Sequence, residues 1–376
     1  MDSTKLEQLI IGNKVASVPI IQGGMGVGIS LSGLAAAVAN EGGIGIIAAA
    51  GIGMNEKDFY TNHLEANIRA LRREIRNAKS LTQGIVGINI MCAFSHYDDF
   101  VRTSIEEGID MIFSGAGLPM NLPGLLKIKS TTKLIPIVSS GRAAKLICQR
   151  WLKRYDYLPD AIVVEGPKAG GHLGFKLEQV SDKAYTLERL VRDVIEVTRF
   201  FSNRYGKSIP VIAAGGIYSG RDIHKFMDLG ANGVQMGTRF VATEECDADE
   251  AFKQSYIDAN QDDIVIIESP VGMPGRAIRN KFLNDVSNGL KKPYSCPYHC
   301  IQSCDFKASP YCIANALMNA KKGRFRNGFA FAGANVHRVK EIVSVKKLIA
   351  ALVSEYEESV KDETSAPVIP YIESNI

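Results

Sequence analysis

Long apolar runs are missing from this chain of 376 residues. The best stretch, residues 44–52, is short and glycine-rich, well below the roughly 20 apolar residues needed to cross a bilayer, so no membrane partner is expected. A dominant charge sign is missing too. The 44 Lys and Arg stand against 40 Asp and Glu, a formal net charge of +4, and no basic block is interleaved with aromatics. That balance argues against a nucleic-acid partner and leaves small molecules as the expected substrates. The first residues, Met1-Asp2-Ser3-Thr4-Lys5, lack the basic-then-apolar layout of a secretion signal, and the expected location is cytoplasmic. An even, spaced cysteine framework is absent as well: seven cysteines are an odd number, which argues against structural disulfides. Finally, Gly24-Met25-Gly26-Val27-Gly28 misses the G-x-G-x-x-G spacing that a doubly wound dinucleotide fold would want after its first strand.

What the chain does have is a regular alternation. Strand-like apolar runs recur at residues 18–25, 44–50, 85–91, 110–115, 134–139, 161–165, 209–215 and 233–237. Helical stretches separate most of them, at 31–40, 56–79, 98–107, 142–153, 186–202 and 219–229, and one more follows at 247–258. Continuous apolar character implies strands covered on both faces, as in a parallel sheet. Eight such units over about 250 residues predict an α/β fold of the TIM (β/α)₈ barrel type, whose active site lies at the C-terminal ends of the strands.

Glycine and polar residues cluster at those ends. The richest stretch, residues 161–175, reads A-I-V-V-E-G-P-K-A-G-G-H-L-G-F. It carries an apolar run through Glu165 into a turn that delivers one histidine, His172. Glycine leaves backbone N–H groups open to close approach by a ligand, and a histidine held there suits proton transfer near neutral pH. Further on, Gly215-Gly216 and Gly237-Thr238 end the seventh and eighth strands, with a helix start at Ser219. Bare N–H groups and a hydroxyl on neighbouring strand ends make an anion cradle, where barrels commonly hold a phosphate.

Together these segments resemble the nitronate monooxygenase (2-nitropropane dioxygenase) family, which shares its fold with flavin-dependent enoyl-ACP reductases. The resemblance rests on residues 19–26 (P-I-I-Q-G-G-M-G), 169–172 (A-G-G-H), 213–217 (A-A-G-G-I), 235–240 (Q-M-G-T-R-F) and 331–335 (F-A-G-A-N), and covers nearly the whole chain except about 285–325. It implies an FMN-dependent oxidoreductase that oxidises alkyl nitronates with O₂. By that resemblance Gly24 and Met25 lie against the flavin, Asn89 hydrogen-bonds its ring, and Glu165 sits near the ribityl chain. Gly170 and Gly171 approach the cofactor through backbone. Gly215, Gly216, Gly237 and Thr238 hold the phosphate, and His172 is the active-site acid–base residue. Lys168 departs from the glutamate that many relatives carry before A-G-G-H. The alternative activity is NAD(P)H-dependent reduction of an enoyl thioester on the same flavin.

Cys296, Cys300, Cys304 and Cys312 form C-x₃-C-x₃-C-x₇-C. Steps of four align the first three on one helical face, and Pro310 suggests a turn that returns the fourth. Four thiolates suit zinc or an iron–sulfur cluster, with His299 weighed as a fifth ligand but not expected to be one; the other reading is thiols packed as small hydrophobes or open to oxidation. The expected organisation is an FMN-binding barrel over 1–284, a cysteine-rich helical insertion over 285–325, and a C-terminal helical segment over 326–376 that packs back on the barrel. Within it, residues 344–356 are amphipathic, a face for the barrel or for a homodimer contact, and the tail from Lys361 is expected to be loosely held. His96, past the third strand, is a further candidate for the pocket rim.

Overall fold

Strands that are apolar on both faces need cover on both, and this chain supplies it by closing them into a ring. The computed structural model describes residues 5–127, 130–292, 296 and 298–365. A short antiparallel hairpin, β1 (Leu9–Ile11) and β2 (Lys14–Ala16), comes first. The ring then forms in chain order from β3 (Ile20–Gln22), β4 (Ile44–Ala48), β5 (Ile85–Met91), β6 (Met111–Gly115), β7 (Lys133–Val138) and β8 (Ile162–Glu165). After a two-residue strand outside the ring, β9 (Gly171–His172), it continues through β10 (Val211–Ala214) and β11 (Gly233–Met236). All neighbours are parallel, and β11 closes on β3 with Gln235 opposite Ile21. This is the expected eight-stranded barrel.

Helices cover the outside: α1 (Ser32–Asn40), α2 (His63–Leu81), α3 (Tyr97–Glu106), α4 (Gly141–Tyr155), α5 (Leu187–Tyr205), α6 (Gly220–Asp228), α7 (Thr238–Val241) and α8 (Glu250–Asp258). Their starts are set by side chains that satisfy orphan N–H groups. Ser140 accepts from Ala143 N–H ahead of α4, and Ser219 and Asp222 cap each other's backbone at α6. The second helix begins at His63 rather than Glu56, because the residues before it fold into turns that bury Phe59. Inside the ring, Ile21, Ile44 and Ile46 are at most 1% exposed, each stabilising the fold by about 1.5–3 kcal/mol. Leu9, Ile11 and Ala16 pack into this same interior cluster, so the first hairpin plugs the barrel.

Beyond the ring, β12 (Ile264–Glu268) and β13 (Pro274–Ile278) form a hairpin that takes β9 as its third strand, pairing Gly275 with His172. The histidine loop is thereby tied to a sheet outside the barrel. Helices α9 (Lys281–Ser287), α10 (Ile313–Lys321) and α11 (Val345–Ser365) complete the chain. The last of these lies on α6, where Gly220 N–H donates to Glu355 at 2.7 Å. It stays helical past Lys361, and residues 366–376, with the rest of the expected loose tail, lie outside the described residues.

The insertion differs from expectation. Among its described residues, Cys296, Cys300 and Cys304 are not on a helix; they follow turns docked on the loop after β5, with Phe94 bridging Ile301. His299 takes a left-handed φ of 44°, so a regular right-handed helix cannot run through the segment.

Candidate functional site

The carboxyl ends of the ring strands open into a cavity of about 290 Å³. Gly24, Met25, Asn89, Glu165, Gly170, Gly171, His172, Gly215, Gly216, Gly237 and Thr238 all line it, so the fold brings these eleven residues together. His96 lies elsewhere: it precedes α3 and faces Asp99 at 3.4 Å.

The turn after β10 has the geometry that glycine permits. Gly215 and Gly216 both sit at φ 93°, and a Cβ on Gly215 would come within 2.8 Å of the Gly166 carbonyl. A distant segment covers this turn. Asn335 Nδ2 donates to Gly216 O at 2.6 Å, Gly333 N–H to Thr238 Oγ1 at 3.2 Å and Ala334 N–H to Lys168 O at 3.1 Å. The Tyr256 hydroxyl donates to the Phe331 carbonyl. Residues 331–335 therefore form one wall of the pocket.

His172 is held from two sides. Its Nε2 lies 2.7 Å from Ser269 Oγ, and its ring meets the edge of Phe331 at 5.0 Å between centroids. Burial pushes its pKa down to about 4, so the imidazole is neutral at pH 7. Burial acts in the opposite direction on Glu165, pushing the carboxyl up to about 7. Beneath the histidine loop, Arg276 donates to the carbonyls of Pro167 and Ala169, both at 2.6 Å. Burial lowers its pKa to about 10, which leaves it charged at neutral pH.

Ser269 and Arg276 are the functional residues that the sequence reading missed. Both belong to the β12–β13 hairpin, whose signal was present: residues 264–267 (I-V-I-I) are separated from 274–278 by a turn containing Pro270 and Gly272. Their role is legible only in three dimensions, because the partners lie 97 and 107 to 109 residues away.

The four clustered cysteines stand apart from this pocket and border a second cavity, of about 220 Å³. None is in a disulfide. A tetrahedral zinc ion holds its thiolates about 3.8 Å apart, given a Zn–S length of about 2.3 Å. Among the described residues no group of three or more His, Cys, Asp or Glu side chains is arranged to hold a metal ion, so neither the zinc nor the iron–sulfur expectation is shown by their arrangement.

The closed ring and its rim pocket define an α/β-barrel protein, a fold shared with solved structures. More specifically, the chain belongs to the nitronate monooxygenase family, a family of flavin oxidoreductases, whose pattern matches residues 8–355. It is 30% identical over 273 residues to a Mycobacterium tuberculosis protein, (3aS,4S,5R,7aS)-5-hydroxy-7a-methyl-1-oxo-octahydro-1H-indene-4-carboxyl-CoA dehydrogenase, across 73% of this chain and 66% of that protein. The chain thus spans just under two thirds of that relative's length. A probable nitronate monooxygenase of Staphylococcus aureus (strain Newman) is 29% identical, across 72% of this chain and 77% of its own. Among solved structures, FabK from Thermotoga maritima superposes with a TM-score of 0.70 at 29% identity, covering 92% of this chain and 95% of its own. The nitroalkane oxidase of Streptomyces ansochromogenes shares the fold with a TM-score of 0.69 at 22% identity, covering 92% and 97%. No described helix is long and apolar enough to cross a membrane.

Proposed function

We propose that this chain is an FMN-dependent nitronate monooxygenase that oxidises alkyl nitronates, and the nitroalkanes from which they form, with O₂ as terminal acceptor. The observation that carries this reading is a neutral, half-buried imidazole, bonded to Ser269, which shares its cavity with the Gly215–Gly216 turn. The residues present fit FMN. Bare N–H groups at Gly215, Gly216 and Gly237, with the Thr238 hydroxyl, suit its phosphate, and Lys168 adds a cation to the same lining. A Cβ on Gly171 would meet nothing within 4 Å, so glycine there keeps that side of the pocket open to the ring. Asn89 is the side chain for a hydrogen bond to the ring, and Met25 and Gly24 form the floor beside it.

FMN, when bound, supplies the electron-accepting ring for the nitronate, and O₂ takes the electrons on. The chain's own part is the proton. With Nε2 donating to Ser269, Nδ1 keeps its lone pair and takes the α-carbon proton of a neutral nitroalkane. The resulting imidazolium then faces the nitronate oxygens as their counter-charge. Phe331 and Ser269 hold the ring in one orientation throughout, and Glu165, whose carboxyl is pushed up to about 7, donates a hydrogen bond beside the ribityl chain when it carries its proton.

Anaerobic stopped-flow mixing of the FMN-loaded protein with propyl nitronate and, separately, with NADPH tests the reading. Rapid bleaching of the flavin by propyl nitronate is expected; bleaching by NADPH alone would replace it with reduction of an enoyl thioester. That second reading has one observation in its favour. Behind the pocket, Arg239 and Arg338 stack on Tyr218, at 4.5 and 4.1 Å from the ring centre, and Lys340 lines the same small cavity with Lys347, which pairs with Glu341 at 3.4 Å. Such a basic recess suits the phosphates of a thioester carrier, and a carboxyl-CoA compound is named for the mycobacterial relative.

A further inference from the structure

Cys296, Cys300, Cys304 and Cys312 have no part in the pocket above, yet all four border one cavity of about 220 Å³. They reach it from two directions. The first three are fastened to the loop after β5, where Ser95 N–H donates to Cys300 O at 3.1 Å and Gln302 N–H to Ala93 O at 3.0 Å. Cys312 arrives from the other side as the residue that caps α10, its carbonyl accepting from Ala316 N–H at 3.0 Å. Convergence therefore comes from tertiary structure and not from sequence spacing.

Ordinary uses of cysteine do not account for the arrangement. The thiols are not paired in disulfides. Cysteines that act as small hydrophobes fill space, whereas these four surround it. Among the described residues no three such side chains are arranged around a single metal ion. An iron–sulfur core differs in this respect: it places several irons and sulfides between its thiolates, which then sit apart at the corners of a chamber. The setting suits anionic sulfur in other ways. His299 N–H donates to Cys296 Sγ at 3.4 Å, and Ser309 Oγ lies 4.0 Å from Cys304 Sγ, contacts of the kind that tune such clusters. No Lys or Arg is among the described residues lining the cavity, so four thiolates there would need their positive charge from bound metal.

We propose that Cys296, Cys300, Cys304 and Cys312 are the ligands of a four-iron, four-sulfide cluster. Assembly balances without an external oxidant: two ferrous ions, two ferric ions, four sulfides and the four thiols combine, and four protons leave. The site lies close to the rim pocket. Leu317 lines that pocket and also packs in the apolar cluster that includes Cys300 and Cys312, and five residues of helix from Cys312 to Leu317 rise only about 7.5 Å.

The test is the full chain purified anaerobically and incubated with ferrous iron, ferric iron and sulfide, then desalted. Iron, zinc and acid-labile sulfide are counted per chain, and the visible spectrum is taken after flavin removal. About four irons and four sulfides per folded chain are expected, with a broad absorption that dithionite bleaches. Cys300→Ser and Cys304→Ser should each lower the iron content at least threefold and leave the FMN content unchanged. Fewer than one iron per folded wild-type chain overturns the proposal, as does stoichiometric zinc in place of iron, or iron that persists in both variants. The wild-type count does not depend on the variants, so a variant that fails to fold does not remove the test.

Discussion

The two cavities of this protein are built by opposite means. The rim pocket is made largely of backbone, held in register by a closed ring of parallel strands, and its glycines matter for what they omit. The second cavity is made of side chains on turns, and its thiols matter for what they present. Precision in the first comes from hydrogen-bonded strands spaced by their own geometry. In the second it comes from a few contacts between distant loops, such as Ser95 with Cys300. A pocket of the first kind should fail when a side chain is added, and one of the second kind when a side chain is removed.

The strongest challenge to this contrast is Gly215→Val. A branched side chain at φ 93°, with its Cβ 2.8 Å from a carbonyl, should weaken FMN binding about 100-fold or more, read by fluorescence titration, while the iron content stays at the wild-type value. Next comes His172→Ala, expected to lower nitroalkane turnover by about 10²–10⁴-fold while oxidation of preformed nitronate falls less than about tenfold, measured as oxygen uptake. Because the His172 pKa is held down near 4, the wild-type rate on nitroalkane should stay level from pH 8 to about pH 5 and fall as the pH nears 4. A rate that falls through pH 6.5 would show an ordinary, solvated histidine.

Smaller effects sharpen the boundary between the regions. Arg276→Leu strips two charged hydrogen bonds from the histidine loop and should cost about 2–4 kcal/mol in urea unfolding. Glu165→Gln is the mildest. The folded carboxyl has a pKa raised from 4.5 to about 7, so its contribution to stability is complete below pH 4.5 and is lost as pH rises through 7. The melting temperature of the FMN-free wild type should therefore drop between pH 5 and pH 8 by more than that of the variant. Equal slopes would mean that the carboxyl is well solvated.

The barrel was legible in the sequence because a strand buried on both faces has to be apolar throughout. Runs such as residues 85–91 and 161–165 say so without any knowledge of their neighbours. The glycine turns were legible for a similar reason, since Gly215-Gly216 at a strand end carries its own conformational meaning. Ser269 and Arg276 were not, because their value lies in partners about a hundred residues distant and β12 is only half buried. The cysteines were misread locally and for a plain reason: steps of four suggest a helix, but the left-handed backbone at His299 breaks one. That the four face a common space is a tertiary fact, which no spacing rule supplies.

The fastening of residues 331–335 onto Gly216, Thr238 and Lys168 bears on how the protein matures. All eight ring strands have left the ribosome long before Asn335 is made, so a nascent barrel stands with one wall of its pocket still unsynthesised. On the proposed FMN site, cofactor capture waits for the last tenth or so of the chain, and a molecule halted short of residue 331 is expected to remain colourless.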